Sequence, residues 1–248
     1  MAVCMTVRNC APYLAKVLAN VDRLSTLFPT FSLIVAYDHC TDRSEEILRK
    51  HQKRSSYPVY LLTTNETSPL RTVRISNARN RCLDQLETLN VPYHFMVDAD
   101  DVNQDPWNIT LLRYYLLQHD WDALSFHRTS YYDLWALMYP PFRHPCWGFG
   151  IHSREVVQQM KKDIEAKLDR RHALFSCDSA FNGFAIYRTP VFKGIRYSGL
   201  TQDLLPFLQD QETEKAVGFP IVPFEQSCEH LYYHWKSKAR IRISPYCL

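Results

Sequence analysis

Glycine is scarce, with 6 residues in a chain of 248 that carries 14 prolines. So few flexible positions argue against modules strung on mobile linkers. A strong charge of one sign is also missing. The formal net charge is +3, from 29 Lys and Arg against 26 Asp and Glu, too balanced for a dedicated nucleic-acid binder. Eight cysteines are present but no two are spaced CxxC, which excludes a zinc ribbon. No run approaches the roughly 18 apolar residues of a membrane span. The N-terminal Met1 to Arg8 has neither a basic start nor a long apolar core, so no secretory signal is expected. These absences point to a cytoplasmic protein with unpaired thiols.

What remains is a globular composition, 46% hydrophobic and 13% aromatic. Apolar runs at 2–7, 31–37, 57–62, 93–97 and 122–127 predict strands. Helical spacing predicts helices over 13–27, about 43–53, 72–89 and 106–118, the last begun by Pro106. Strands alternating with helices predict an α/β fold with a mostly parallel central sheet flanked by helices. The second half is less regular. A helix is expected over 153–168, strand-like pieces over 181–187 and 217–224, a His-bearing segment over 228–235, and a basic strand over 239–243. The expectation is one domain over 1–248. Residues 1–128 form its regular half, and 129–248 a lobe completing it.

Ligands of parallel α/β sheets bind beyond the carboxyl ends of the strands. The sharpest feature at such an end is Asp98-Ala99-Asp100-Asp101, directly after the apolar run Phe95-Met-Val. Clustered carboxylates repel one another unless a cation is near. Hard divalent cations prefer oxygen ligands, often one or two carboxylates plus substrate phosphates. Residues i and i+2 of an extended segment point the same way, so Asp98 and Asp100 can share an ion. The plain alternative is an acidic turn before the next helix. In the helix over 72–89, Arg79 sits at the edge of an apolar stripe, either snorkelling outward or aimed at an anion near the strand ends. The aromatic segment 131–149, with Tyr131, Tyr132, Trp135, Tyr139 and Trp147, suits a sugar-stacking platform or an ordinary core.

Taken together, Arg74-Ile-Ser-Asn-Ala78-Arg79-Asn80 and Phe95-Met-Val-Asp98-Ala-Asp100-Asp101 resemble the signature of nucleotide-sugar glycosyltransferases of the GT-A (Rossmann-like) fold. Val7-Arg8-Asn9 and Asp38-His-Cys-Thr41-Asp42-Arg-Ser44 are similar to that family's first two strand ends. Ser179 to Arg188 and Ser227 to His230 resemble the enzymes of large DNA viruses and fungal capsule mannosyltransferase-like proteins. The departures are His39-Cys40 in the acidic loop, and Asn182 where a Gly is usual.

The resemblance implies roles. Asp98 and Asp100 would hold Mn²⁺ or Mg²⁺ against the donor diphosphate, with His230 as a later metal ligand. Val7, Arg8, Asp38 and Ala99 would line the nucleotide pocket, and Arg79 would sit near the diphosphate. A carboxylate base for the acceptor hydroxyl would be Asp178, or else Glu229. The implied activity is transfer of a hexosyl or pentosyl unit from a UDP-sugar, or a GDP-sugar, to a hydroxyl of a glycan or glycoprotein. No nucleic-acid partner is expected, and a viral chain would act in the host cytoplasm. Two other readings stand beside this one. A sugar-phosphate nucleotidyltransferase would place a Gly-rich loop after the first strand, where Arg8-Asn-Cys-Ala-Pro12 stands. A non-catalytic nucleotide- or glycan-binding module would have kept the fold and lost turnover.

Overall fold

The computed structural model describes residues 1–169 and 173–248. Unbroken apolar runs become strands buried on both faces, as parallel sheets require. Strands β1 (Ala2–Val7), β2 (Ser32–Asp38) and β4 (Tyr93–Asp98) follow this rule, as does β5 (Ala123–His127), while β3 (Val59–Thr64), at the sheet edge, is only partly buried. Three further strands are β6 (Phe175–Cys177), β7 (Phe184–Arg188) and β8 (Ile241–Cys247). They form a single sheet in the order β3-β2-β1-β4-β7-β5-β8-β6. The pairs β2–β3, β1–β2, β1–β4 and β5–β8 are parallel, and β4–β7, β5–β7 and β6–β8 antiparallel. The sheet is mostly parallel, as expected. β7, from the second half of the chain, lies between β4 and β5 of the first.

Alternation along each strand supplies two cores. Val3 and Met5 of β1, Leu33 and Val35 of β2, and Phe95 of β4 face α1 (Ala11–Ser25), whose Leu14, Val17, Leu18 and Val21 form the matching stripe. Cys4, Ile34 and Met96 face α3 (Arg71–Glu87), which contributes Ala78, Cys82, Leu83 and Leu86. The remaining helices are α2 (Ser44–Arg54), α4 (Ile109–Leu116), α5 (Ser153–Asp169), α6 (Asp210–Val217) and α7 (Glu229–Ser237). Among the described residues no helix is long and apolar enough to cross a membrane.

Two expectations are corrected. The helix predicted from Pro106 begins at Ile109, because the Asn108 side chain caps it by accepting from the Leu111 amide at 3.0 Å. The segment 217–224 forms no strand. Val217 closes α6, Gly218 caps it in the left-handed region at φ 78°, and Pro220 and Pro223 lack the N–H a ladder needs.

Candidate active site

The carboxyl ends of β1, β2 and β4 open into a cleft of about 690 Å³. Nucleotide-sized ligands fit clefts of this order. Val7, Arg8, Asp38, Arg79, Asp98, Ala99, Asp100, Glu229 and His230 all line it. Nine of the ten expected residues thus line one cleft, six of them at or just after strand ends and three, Arg79, Glu229 and His230, on helices α3 and α7.

At one end of the cleft, the loops after β1 and β2 are fastened together. Asn9, at φ 54°, accepts from the Thr41 amide at 2.8 Å. Asp42 accepts from the Ala11 and Ser44 amides, each at 2.9 Å. This fixes Asp38 at the end of β2. Its Oδ2 lies 3.6 Å from the largely exposed Arg8, while its Oδ1 is buried with no hydrogen-bond partner among the described residues.

At the centre, the acidic segment is held by its backbone. The Asp98 amide donates to the Gly183 carbonyl at 2.9 Å, and the Asn103 side chain donates to the carbonyls of Asp98 and Gly183. With its main chain pinned, Asp98 turns its carboxylate to Arg79, whose Nη2 donates at 2.9 Å. Arg79 Nε donates to Glu229 at 2.8 Å. The guanidinium packs over the Phe181 ring at 4.7 Å, and its Nη1 has no partner among the described residues. One buried cation thus bridges a strand of the first half and a helix of the second. Burial pushes the Asp98 carboxyl upward, and Arg79 opposes that push.

Asp100 has no such cation. Its Oδ1 is buried and unpaired among the described residues, and burial together with the Asp98 and Asp101 charges pushes its carboxyl to about 6. An unsatisfied hard oxygen beside a second carboxylate has the chemistry of a Mg²⁺ or Mn²⁺ ligand pair whose shell a bound phosphate or water would complete. The protein itself supplies no full cage. Among the described residues no three His, Cys, Asp or Glu side chains converge on a metal position.

His230 lines the same cleft, but among the described residues it does not converge with Asp98 and Asp100 on one metal position, and its Nε2 has no hydrogen-bond partner there. His230 stacks on Phe181 with ring centroids 3.8 Å apart, and its Nδ1 lies 3.4 Å from the Tyr187 hydroxyl. Burial and the nearby Arg79 lower its pKa well below the ordinary value, so the ring is neutral. His234 is spent on Ser179 and Tyr187, at 2.8 and 3.0 Å.

The expectation for Asp178 is corrected. That residue does not line the cleft, and Arg143 holds it through two bonds of 2.6 and 3.1 Å. The carboxylate missed in the sequence is Asp133. It lines the cleft with Tyr132, Trp135 and Trp147. Among the described residues its oxygens accept only from the Ala136 and Asn182 amides, at 3.3 and 3.2 Å. Burial, then the charges of Asp98 and Glu229, raise it to about 7. Asn182 explains its own departure from Gly. It adopts φ 54°, which Asn tolerates, and its Oδ1 accepts from the Tyr132 and Asp133 amides. A signal was available: Asp133 is the lone carboxylate between residues 129 and 149.

A family model described as Glycosyl transferase family 2 matches residues 2–195. The chain belongs to glycosyl transferase family 2. No curated protein matches this family 2 chain. Among solved structures it is similar to S. aureus TarS 1–349 in complex with UDP-GlcNAc, at 18% identity and TM-score 0.51, covering 98% of this chain and 55% of that one. It is also similar to S. aureus TarS 1–349 alone, at 16% identity and TM-score 0.50, covering 98% of this chain and 57% of that one. The chain thus spans little more than half of the TarS chains it matches. The likeness shows the fold, a GT-A arrangement of sheet and helices.

Proposed function

We propose that this family 2 chain is a metal-dependent glycosyltransferase that moves a hexosyl or pentosyl unit from a nucleoside-diphosphate sugar to a hydroxyl of a glycan or glycoprotein. UDP-linked donors come before GDP-linked ones. The observation that carries this reading is the partnerless Asp100 oxygen beside Asp98 at the centre of the cleft. Bound by Asp98 and Asp100, Mn²⁺ or Mg²⁺ would offset the charge that develops on the departing diphosphate. The runs Ser179 to Arg188 and Ser227 to His230 are the support for kinship with the viral and capsule enzymes.

Around that centre the chain's own residues divide the work. Val7, Arg8, Asp38 and the Ala99 backbone hold the nucleoside end. Arg79 keeps Asp98 ionised and oriented, and its buried Nη1 has no partner among the described residues. Glu229, paired to Arg79, holds that guanidinium in place. Asp133 takes the place expected for Asp178. Its carboxylate accepts the acceptor hydroxyl proton as that oxygen bonds to the anomeric carbon. The bond from that carbon to the phosphate oxygen breaks, and its electron pair leaves with the diphosphate. A base placed on the acceptor side gives inversion at the anomeric carbon. Trp135 and Trp147 offer aromatic faces for the acceptor.

The test is a thermal-shift panel of UDP, GDP, CDP and their common sugars, with and without Mn²⁺. A ligand that binds only the folded state raises Tm with its concentration and affinity. The expected result is a shift with one nucleotide that requires Mn²⁺. No shift with any of them, or one indifferent to Mn²⁺, overturns the reading.

A further inference from the structure

A second cavity, of about 180 Å³, lies at the other end of β4. Asp98 ends that strand at the cleft, while His94, near its start, lines the cavity. Leu83 and Leu86 of α3, Val91, Phe192 and Tyr233 of α7 form apolar walls. An apolar cavity of roughly 150 Å³ accommodates benzene, so this one has room for about one six-membered ring.

Exposed Glu87, Asn90 and Lys193 line it as well, with Thr189, and two buried polar atoms sit among the apolar walls. His94 is buried; its Nδ1 lies 3.1 Å from the Thr189 hydroxyl, and its ring stacks on Tyr187. Burial lowers its pKa to about 3, so it stays uncharged at neutral pH. Its Nε2 has no partner among the described residues. Tyr233 is fully buried, with its ring stacked on Tyr197 at 4.0 Å. Its hydroxyl is likewise without a partner among the described residues. Native proteins nearly always satisfy buried polar atoms. Glu87 cannot serve them, because Arg196 holds it at 2.7 Å and the Gly194 amide donates to it as well.

We propose that this cavity binds a small uncharged molecule, about one aromatic ring in size, that carries one hydrogen-bonding group for His94 Nε2 or the Tyr233 hydroxyl. The buried groups, His94 and Tyr233, are neutral; of the two charged lining residues, Glu87 is paired to Arg196 and Lys193 is solvent-exposed, so the buried part of the cavity favours an uncharged ligand. Water alone would satisfy the two polar atoms but would leave most of the apolar volume empty. The site sits behind the active cleft, between the two helices that carry Arg79 and Glu229.

Phenol is the probe, with benzene as the control lacking a hydrogen-bonding group. Crystals of the full chain soaked in phenol should show one ring in this cavity, with its hydroxyl on His94 or Tyr233. Saturation-transfer titration should show phenol binding several-fold more tightly than benzene. Tyr233→Phe, nearly isosteric, should bring phenol down towards benzene and leave benzene unchanged. Ordered water alone in the soaked cavity, phenol no tighter than benzene, or identical phenol binding by Tyr233→Phe would each overturn the proposal.

Discussion

Arg79→Met tests how the cleft is held together. Arg79 is 3% exposed and Glu229 5%, and no other Arg or Lys among the described residues is buried. Methionine keeps most of the apolar stem and deletes the charge. Glu229 is then a buried carboxylate without a cation. Removing one partner of a buried ion pair costs about 3–5 kcal/mol, chiefly because the other charge stays behind. Asp98 adds little, since its side chain is 25% exposed and water can reach it. For a chain of this size about 2–4 °C of Tm is lost per kcal/mol, so Tm should fall by about 6–20 °C. Urea unfolding followed by tryptophan fluorescence would measure the loss directly. Adding Glu229→Gln should recover more than half of it, because the orphaned charge is gone, and the two changes should be strongly non-additive. A single-variant loss below about 1 kcal/mol would refute the view that this ion pair is buried and desolvated.

Four further outcomes follow from the site. Asp100→Asn should raise Tm of the metal-free protein by relieving repulsion from Asp98 and Asp101, yet abolish any Mn²⁺-dependent nucleotide shift; a retained Mn²⁺-dependent shift would contradict the metal assignment. Asp133→Asn should lower kcat by about 10²–10⁴ with the Mn²⁺-dependent UDP shift retained, and unchanged kcat would remove Asp133 from the base role. The Asp133 pKa is raised on folding, so its contribution to stability is complete below about 4 and lost as pH rises through about 7. Melting curves of the metal-free protein should therefore show Tm rising from about pH 8 to about pH 5, with a smaller rise in Asp133→Asn. Asp178→Ala should cost about 1 kcal/mol or less, because its pair with Arg143 is partly exposed, and should leave turnover within about two-fold; a large kcat loss would restore it as the base.

The first half of the fold was legible because its strands are unbroken apolar runs and its helices carry clear stripes. Val3, Met5 and Val35 declare themselves by composition alone. Much of the second half was not. β6 is three residues long, too short for any periodicity. The 217–224 run is apolar enough for a strand, and only its two prolines argued otherwise. In the site, residues that follow strands directly were found by position. The surroundings of Asp178 and Asp133 depend on partners far along the chain, Arg143 and Asn182, at separations of 35 and 49 residues. Nothing local distinguishes a carboxylate that will be claimed by an arginine from one that will be left facing a cleft.

Because β7 lies between β4 and β5, synthesis of the chain leaves its sheet open for a long stretch. β1 to β4 can pair as soon as residue 98 has left the ribosome. β5 begins only 25 residues later, at Ala123, yet both its neighbours arrive much later, at 184–188 and 241–247. Until then β4 and β5 present open edges, and open edges are where nascent chains aggregate. A fragment ending at residue 128 would keep that exposure permanently. Ordering of the β5 region should accordingly be a late, slow step, set by closure of long chain segments rather than by local propensity.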